Sequence, residues 1–116
     1  MRAVTESAGV NFFSGNQFHR DNTRVDNAPG WDSVLYLHGN AIARRRGRVL
    51  QVTLAGWNTS TTRERLQAAG VRVHTKAGQA YLNDKAWSGD WVTVHADGTW
   101  ASEVRRAADA VRGHNS

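Results

Sequence analysis

The most regular hydrophobic pattern in the chain runs over residues 48–54. Leu50, Val52 and Leu54 fall on one face, and Val49, Gln51 and Thr53 on the other. A period of two puts alternate side chains on opposite faces of a pleated strand. Upstream, residues 33–38 (Ser-Val-Leu-Tyr-Leu-His) are largely β-branched, aromatic and aliphatic, the pattern of a strand covered on both faces. Gly39-Asn40 predicts a two-residue hairpin turn, because both residues tolerate positive φ. Residues 41–45 form the return strand, and Arg46-Gly47 turns the chain into 48–54. The pattern therefore predicts a three-stranded antiparallel meander.

The period then changes. Thr61 and Glu64 have the spacing of a capping box, in which hydroxyl and carboxylate each take the other's amide. Leu66 and Ala69 face inward, Gly70 supplies a left-handed cap, and Val71 meets Leu66 across it. Residues 71–75 and 79–82 predict strands around Ala77-Gly78, and residues 91–95 a further strand. Trp100, Val104, Ala107, Ala108 and Val111 recur at helical spacing, with Thr99 as a cap. A hairpin at Asp97-Gly98 leading into a short strand competes with this helix. The expected fold class is α+β. It has an antiparallel sheet of four to six strands, one short helix (about 61–69) and a C-terminal helix (about 100–112) on a single face.

The first thirty residues are polar with scattered apolar anchors, and Arg20 to Gly30 is rich in Asn and Asp. Residues 10–20 align without gaps on 34–44: Val10 with Val34, Phe12 with Tyr36, Gly15-Asn16 with Gly39-Asn40, Arg20 with Arg44. That echo predicts a second hairpin. The chain reads as a single domain: a polar arm or N-terminal hairpin over 1–30 and a compact core over 31–112.

Composition adds limits. At 116 residues the length fits one domain, and 40% hydrophobic residues with five Trp fit a globular chain. No apolar run approaches the ~18 residues of a spanning helix, and the first ten residues lack the pattern of a secretory signal. The absence of Cys excludes disulfides and thiolate chemistry. The formal net charge is +5, and thirteen of the fifteen cations are Arg. A basic, Arg-rich small domain is drawn to polyanions, although a GC-rich coding sequence also enriches Arg.

Three constellations carry candidate chemistry. Arg44, Arg45, Arg46 and Arg48 place four cations at one hairpin turn, where they repel and need counterions. Strand alternation sends Arg44 and Arg46 to one side and Arg45 and Arg48 elsewhere. Arg63 and Arg65 follow four hydroxyl residues at a helix N-terminus, a seat for phosphate or simply a cap. Trp57, between Gly56 and Asn58, is the foremost candidate for an exposed stacking ring, with Trp87 next; at least three of the five Trp are expected in the core. The five His form no close ligand pair, though His38 and His95 fall on predicted strand ends that could approach each other in space. No metal, no cofactor and no enzyme activity is expected, since no supported carboxylate pair, phosphate loop or nucleophile elbow occurs.

Three runs together resemble small accessory proteins of tailed bacteriophages. They are Leu37-His38-Gly39-Asn40-Ala41-Ile42-Ala43-Arg44, Ala55-Gly56-Trp57-Asn58 through Thr62-Arg63-Glu64-Arg65-Leu66, and Gly78-Gln79-Ala80-Tyr81-Leu82-Asn83. The resemblance covers about residues 33–90 and implies a non-virion product in the host bacterial cytoplasm; it transfers no catalytic residue. The expected function is non-enzymatic binding of nucleic acid, DNA or RNA, through the Arg-rich turn. The alternative is an anti-defence or host-takeover inhibitor, anti-CRISPR-like, that binds an acidic host protein. Trp set among Arg favours bases, and exposed Trp without Arg favours a protein surface.

Overall fold

A computed structural model describes residues 3–100. Helix α1 (Ala3–Ser14) leads into strands β1 (Phe18–Arg20), β2 (Thr23–Ala28), β3 (Trp31–Leu37), β4 (Asn40–Arg46) and β5 (Val49–Val52). Helix α2 (Ser60–Ala68) follows, then β6 (Val73–Lys76), β7 (Gln79–Leu82), β8 (Lys85–Ala86) and β9 (Val92–Val94). The main sheet has six strands in the order β1-β2-β3-β4-β5-β9, every pair antiparallel. Strands β6-β7-β8 make a second, three-stranded antiparallel sheet. The fold is α+β, and the meander of β3, β4 and β5 lies where the alternation placed it.

The hairpin turns sit one residue away from their expected places. His38 and Gly39, not Gly39 and Asn40, are the central pair of the first, with φ of 53° and 81° and Leu37 paired to Asn40. Two consecutive positive φ values match the right-handed twist of the strands, and Gly supplies only one of them. The second turn is Gly47-Arg48, since Arg46 pairs with Val49. Ala77-Gly78 turns as expected, between Lys76 and Gln79.

The N-terminal thirty residues depart from expectation. Residues 3–14 are a helix, so the echo between 10–20 and 34–44 does not reflect a second hairpin. Thr5, Ala8 and Phe12 are its buried positions, spaced three and four apart on one helical face. The stripe is narrow and includes a Thr, which hides it from a hydrophobic count. The Asn/Asp-rich stretch forms β2, where Thr23 and Val25 are buried and Arg24 is exposed. The core thus includes Ala8, Phe12 and Val25 together with Leu35, Ile42, Val52, Leu66, Leu82 and Val94.

The helices cover one face of the main sheet, with α1 against β1, β2, β3 and α2. Their approach is close at Gly9: a Cβ there would lie 2.9 Å from the Ala68 carbonyl oxygen. Helix α2 starts at Ser60 and is capped by Thr59, whose hydroxyl accepts from the Thr62 amide at 3.2 Å. The expected Thr61–Glu64 box is not formed, because the Glu64 carboxylate is engaged by the Thr5 hydroxyl and by Arg65.

At the C-terminal end, the chain turns at Asp97-Gly98. The His95 amide donates to the Thr99 carbonyl at 2.7 Å, and Trp100 makes an antiparallel bridge with Val94. The Thr99 amide and then its hydroxyl donate to the Asp97 carboxylate and hold its pKa below the ordinary value. Trp100 is therefore the end of a hairpin rather than the first turn of a helix; the rest of the 100–112 helix lies outside the described residues.

Candidate functional site

The face of the main sheet opposite the two described helices carries a cluster of arginines and aromatic rings. Its centre is Arg44 on β4, paired in register with Val34 on β3 and Gln51 on β5, and Gln51 pairs with Thr93 on β9. Directly paired residues share a face. The row is also linked by hydrogen bonds: Arg44 Nε donates to Gln51 Oε1 at 2.7 Å, and Gln51 Nε2 donates to Thr93 Oγ1 at 3.1 Å. This ladder fixes the guanidinium through one nitrogen. Its two terminal nitrogens make no hydrogen bond among the described residues.

Two indoles flank that guanidinium. The Arg44 Cζ lies 4.7 Å from the Trp31 ring centroid and 4.3 Å from that of Trp91. Arg46 adds a second cation 5.4 Å from Trp31. Two strands from Arg44, on β2, Arg24 lies 4.1 Å over the ring of Tyr36, its register partner. Each such contact is worth about 0.5–1 kcal/mol when exposed and about 2 when desolvated. Trp91 is 37% exposed and Arg46 is exposed, so the cluster is open to solvent. Asp26 borders it, 3.9 Å from Arg24 and also bonded to Gln17.

The expected site residues divide between this face and other tasks. Arg44 and Arg46 lie on the open face, as alternation requires. Arg45, between them, turns to the helices and ends at the C-terminus of α1. Its Nε donates to the Phe12 carbonyl and its Nη2 to the Phe13 carbonyl, both at 3.3 Å. A cation on the last carbonyls of a helix satisfies orphan acceptors and complements the dipole. Asp32 completes this clamp, 3.6 Å from Arg45 and accepting from the Gly47 amide at 2.7 Å. Arg48 is exposed at the turn. Arg63 is half-buried and donates to the Asn58 side chain at 2.6 Å.

Arg65 is only 6% exposed. Its Nε donates to Thr23 Oγ1 at 2.9 Å, and its Nη1 engages the Thr5 hydroxyl and, at 3.2 Å, Glu64. This guanidinium joins α1, α2 and β2 from within and presents no surface to a phosphate.

Of the five Trp, Trp87 and Trp100 are buried, and Trp57 and Trp91 are exposed at 62% and 37%. The core therefore takes fewer of them than the composition suggests. Trp87 is held by its indole N–H donating to the Asp90 carbonyl at 2.9 Å. Trp57 overhangs a cleft of about 500 Å³ lined by Leu37, Ile42, Leu54 and the hydroxyls at the start of α2. His38 and His95 lie at opposite ends of the sheet: His38 follows Leu37, whereas His95 follows Val94, in the row of Ser33, Arg45 and Leu50. Among the described residues no three His, Asp or Glu gather as metal ligands, and no helix is long and apolar enough to cross a membrane.

Sequence reasoning missed Trp31, Trp91, Arg24 and Tyr36 as members of one cluster. Each strand shows its own alternation, but β9 reaches β5 across 42 residues from Thr93 to Gln51, which no local pattern signals.

No curated protein and no solved structure matches the chain. The family model for Kyanoviridae Gp96 protein matches residues 1–103, well beyond the 33–90 of the resemblance and including α1, β1 and β2. The chain therefore belongs to the Kyanoviridae Gp96 protein family, a family of phage proteins.

Proposed function

We propose that this phage protein binds nucleic acid without catalysis, through the open face of its six-stranded sheet. The observation that carries the reading is the Arg44 guanidinium set between Trp31 and Trp91 with its terminal nitrogens unspent. A guanidinium in that state offers a planar fork to phosphate or a base edge, and the indoles offer π-faces. Arg46 and Arg24 extend the charge, and the exposed Arg48 adds to it at the turn. In this reading the protein is a non-virion accessory acting in the host cytoplasm.

The test is fluorescence anisotropy with mixed-sequence oligonucleotides from low to moderate salt. Each phosphate contact contributes about 0.7–0.9 to the log–log salt slope, so replacing Arg44 and Arg46 by Ala should flatten it by about 1.4–1.8. Absence of wild-type binding at the lowest salt overturns the reading.

A second reading rests on Trp57. Its ring is 62% exposed beside a largely apolar cleft, and no cation lies over it among the described residues. Such a ring suits a protein interface, as an anti-defence inhibitor needs. Capture of a host protein that survives nuclease treatment and is lost on Trp57→Ala supports it.

A further inference from the structure

Resting on the nucleic-acid reading, we infer that the ligand is a short single strand whose bases stack on Trp31 and Trp91, and that duplex is excluded. The first argument is the number of cations. Among the described residues the open face holds three arginines, Arg24, Arg44 and Arg46, with Arg48 exposed at the adjoining turn, and Arg24 is shared with Asp26. Duplex binders that rely on charge make about 6–10 phosphate contacts. These four described cations fall short of that number, and in this inference the rings carry a large part of the affinity.

The second argument is access. Bases in a duplex present their edges, and their π-faces are covered by neighbouring pairs. Only an unpaired base can lay its face on an indole. The rings here stand on a sheet face: Trp31 opens β3, and Trp91 directly precedes β9.

The third argument is span. From Arg24 on β2 to Thr93 on β9 the face crosses five strands in register order. At about 4.8 Å per strand that is about 19 Å, room for a few nucleotides and not for a turn of duplex. Arg44 stands midway, its neighbours being Trp31 on one side and Trp91 on the other. A strand whose bases stack on the indole faces turned away from Arg44 would pass its backbone over the Arg44 terminal nitrogens.

Tryptophan fluorescence and anisotropy decide the matter, using single-stranded DNA and RNA oligonucleotides of mixed sequence and the same DNA annealed to its complement. The single strand should bind at least tenfold more tightly than the duplex and quench indole emission. Trp91→Ala should weaken single-strand binding about 5- to 150-fold, the range of one base–aromatic stack, and Trp91→Phe should restore most of it. Trp31→Ala should behave alike, with circular dichroism confirming that each variant is folded. DNA and RNA binding equally well locates recognition in base and phosphate; a preference for RNA adds a contact to the 2′-hydroxyl. Equal affinity for duplex, or a folded Trp91→Ala that binds as wild type while Arg44→Ala does not, overturns the single-strand inference and leaves the nucleic-acid reading intact. No binding to any of the probes overturns both.

Discussion

Replacing Arg65 by Ala separates a structural arginine from a ligand-binding one. The substitution removes a guanidinium that is 6% exposed and that ties Thr23 on β2, Thr5 on α1 and Glu64 on α2. Hydrogen bonds to a charged group contribute about 1.5–3 kcal/mol each. Three such bonds overstate the loss, because the partners retain others. Thr23 still donates to Asn22 Oδ1 at 2.9 Å, and Thr5 still donates to Glu64. The Glu64 side chain is 18% exposed, so water relieves part of its charge. Removing one partner of a buried ion pair costs about 3–5 kcal/mol, and these compensations place Arg65→Ala near the lower bound. Against a typical stability of about 5–15 kcal/mol, that is a large fraction. Urea titration followed by circular dichroism measures it. Arg48→Ala, at an exposed position in the β4–β5 turn, serves as the comparison and should stay within about 0.5 kcal/mol of wild type. If Arg65→Ala melts with wild-type midpoint and slope, the network contributes nothing and its place in the interior is refuted.

Two further substitutions test the local geometry. Thr59→Ala should cost about 0.5–2 kcal/mol in the same titration, whereas Thr61→Ala should stay within about 0.5, because Thr59 holds the N-cap. Gly9→Ala gains about 1 kcal/mol of helix propensity but forces its Cβ against the Ala68 carbonyl, where overpacking costs about 1–3, so a net loss in melting temperature is expected.

The legibility of this fold in its sequence follows from how far apart the partners are. Strands β3, β4 and β5 were readable because each turn joins neighbours and the alternation of Leu50 and Val52 is local. Helix α1 was not readable, because what stabilises it lies elsewhere. Its last carbonyls are met by Arg45, and Thr5 is held by Arg65 and Glu64, about sixty residues away. The same distance misdirected the site. Arg45 and Arg65 look alike to Arg44 on a charge count, and only the tertiary contacts show that two of the three are spent on helices. The alternation of Arg44 and Arg46 on one side survived because it depends on the pleat alone. Trp91 joined them only through the β5–β9 pairing.

The order of strands also fixes an order of assembly. Strands β1 to β5 are adjacent in the sheet in the order they leave the N-terminus, so each pairing closes only a short loop. Such hairpins form in about 1–10 μs, whereas joining β9 to β5 must first close a long segment containing α2 and the second sheet. Helix α1 precedes these strands in the chain yet lacks its Arg45 clamp until β4 and its turn are made. Helix α1 is therefore secured after the strands that follow it in the chain. Pulse-labelled hydrogen exchange should find β3 and β4 amides protected before those of α1, with the stacking cluster of Arg44 and Trp91 completed only when β9 docks.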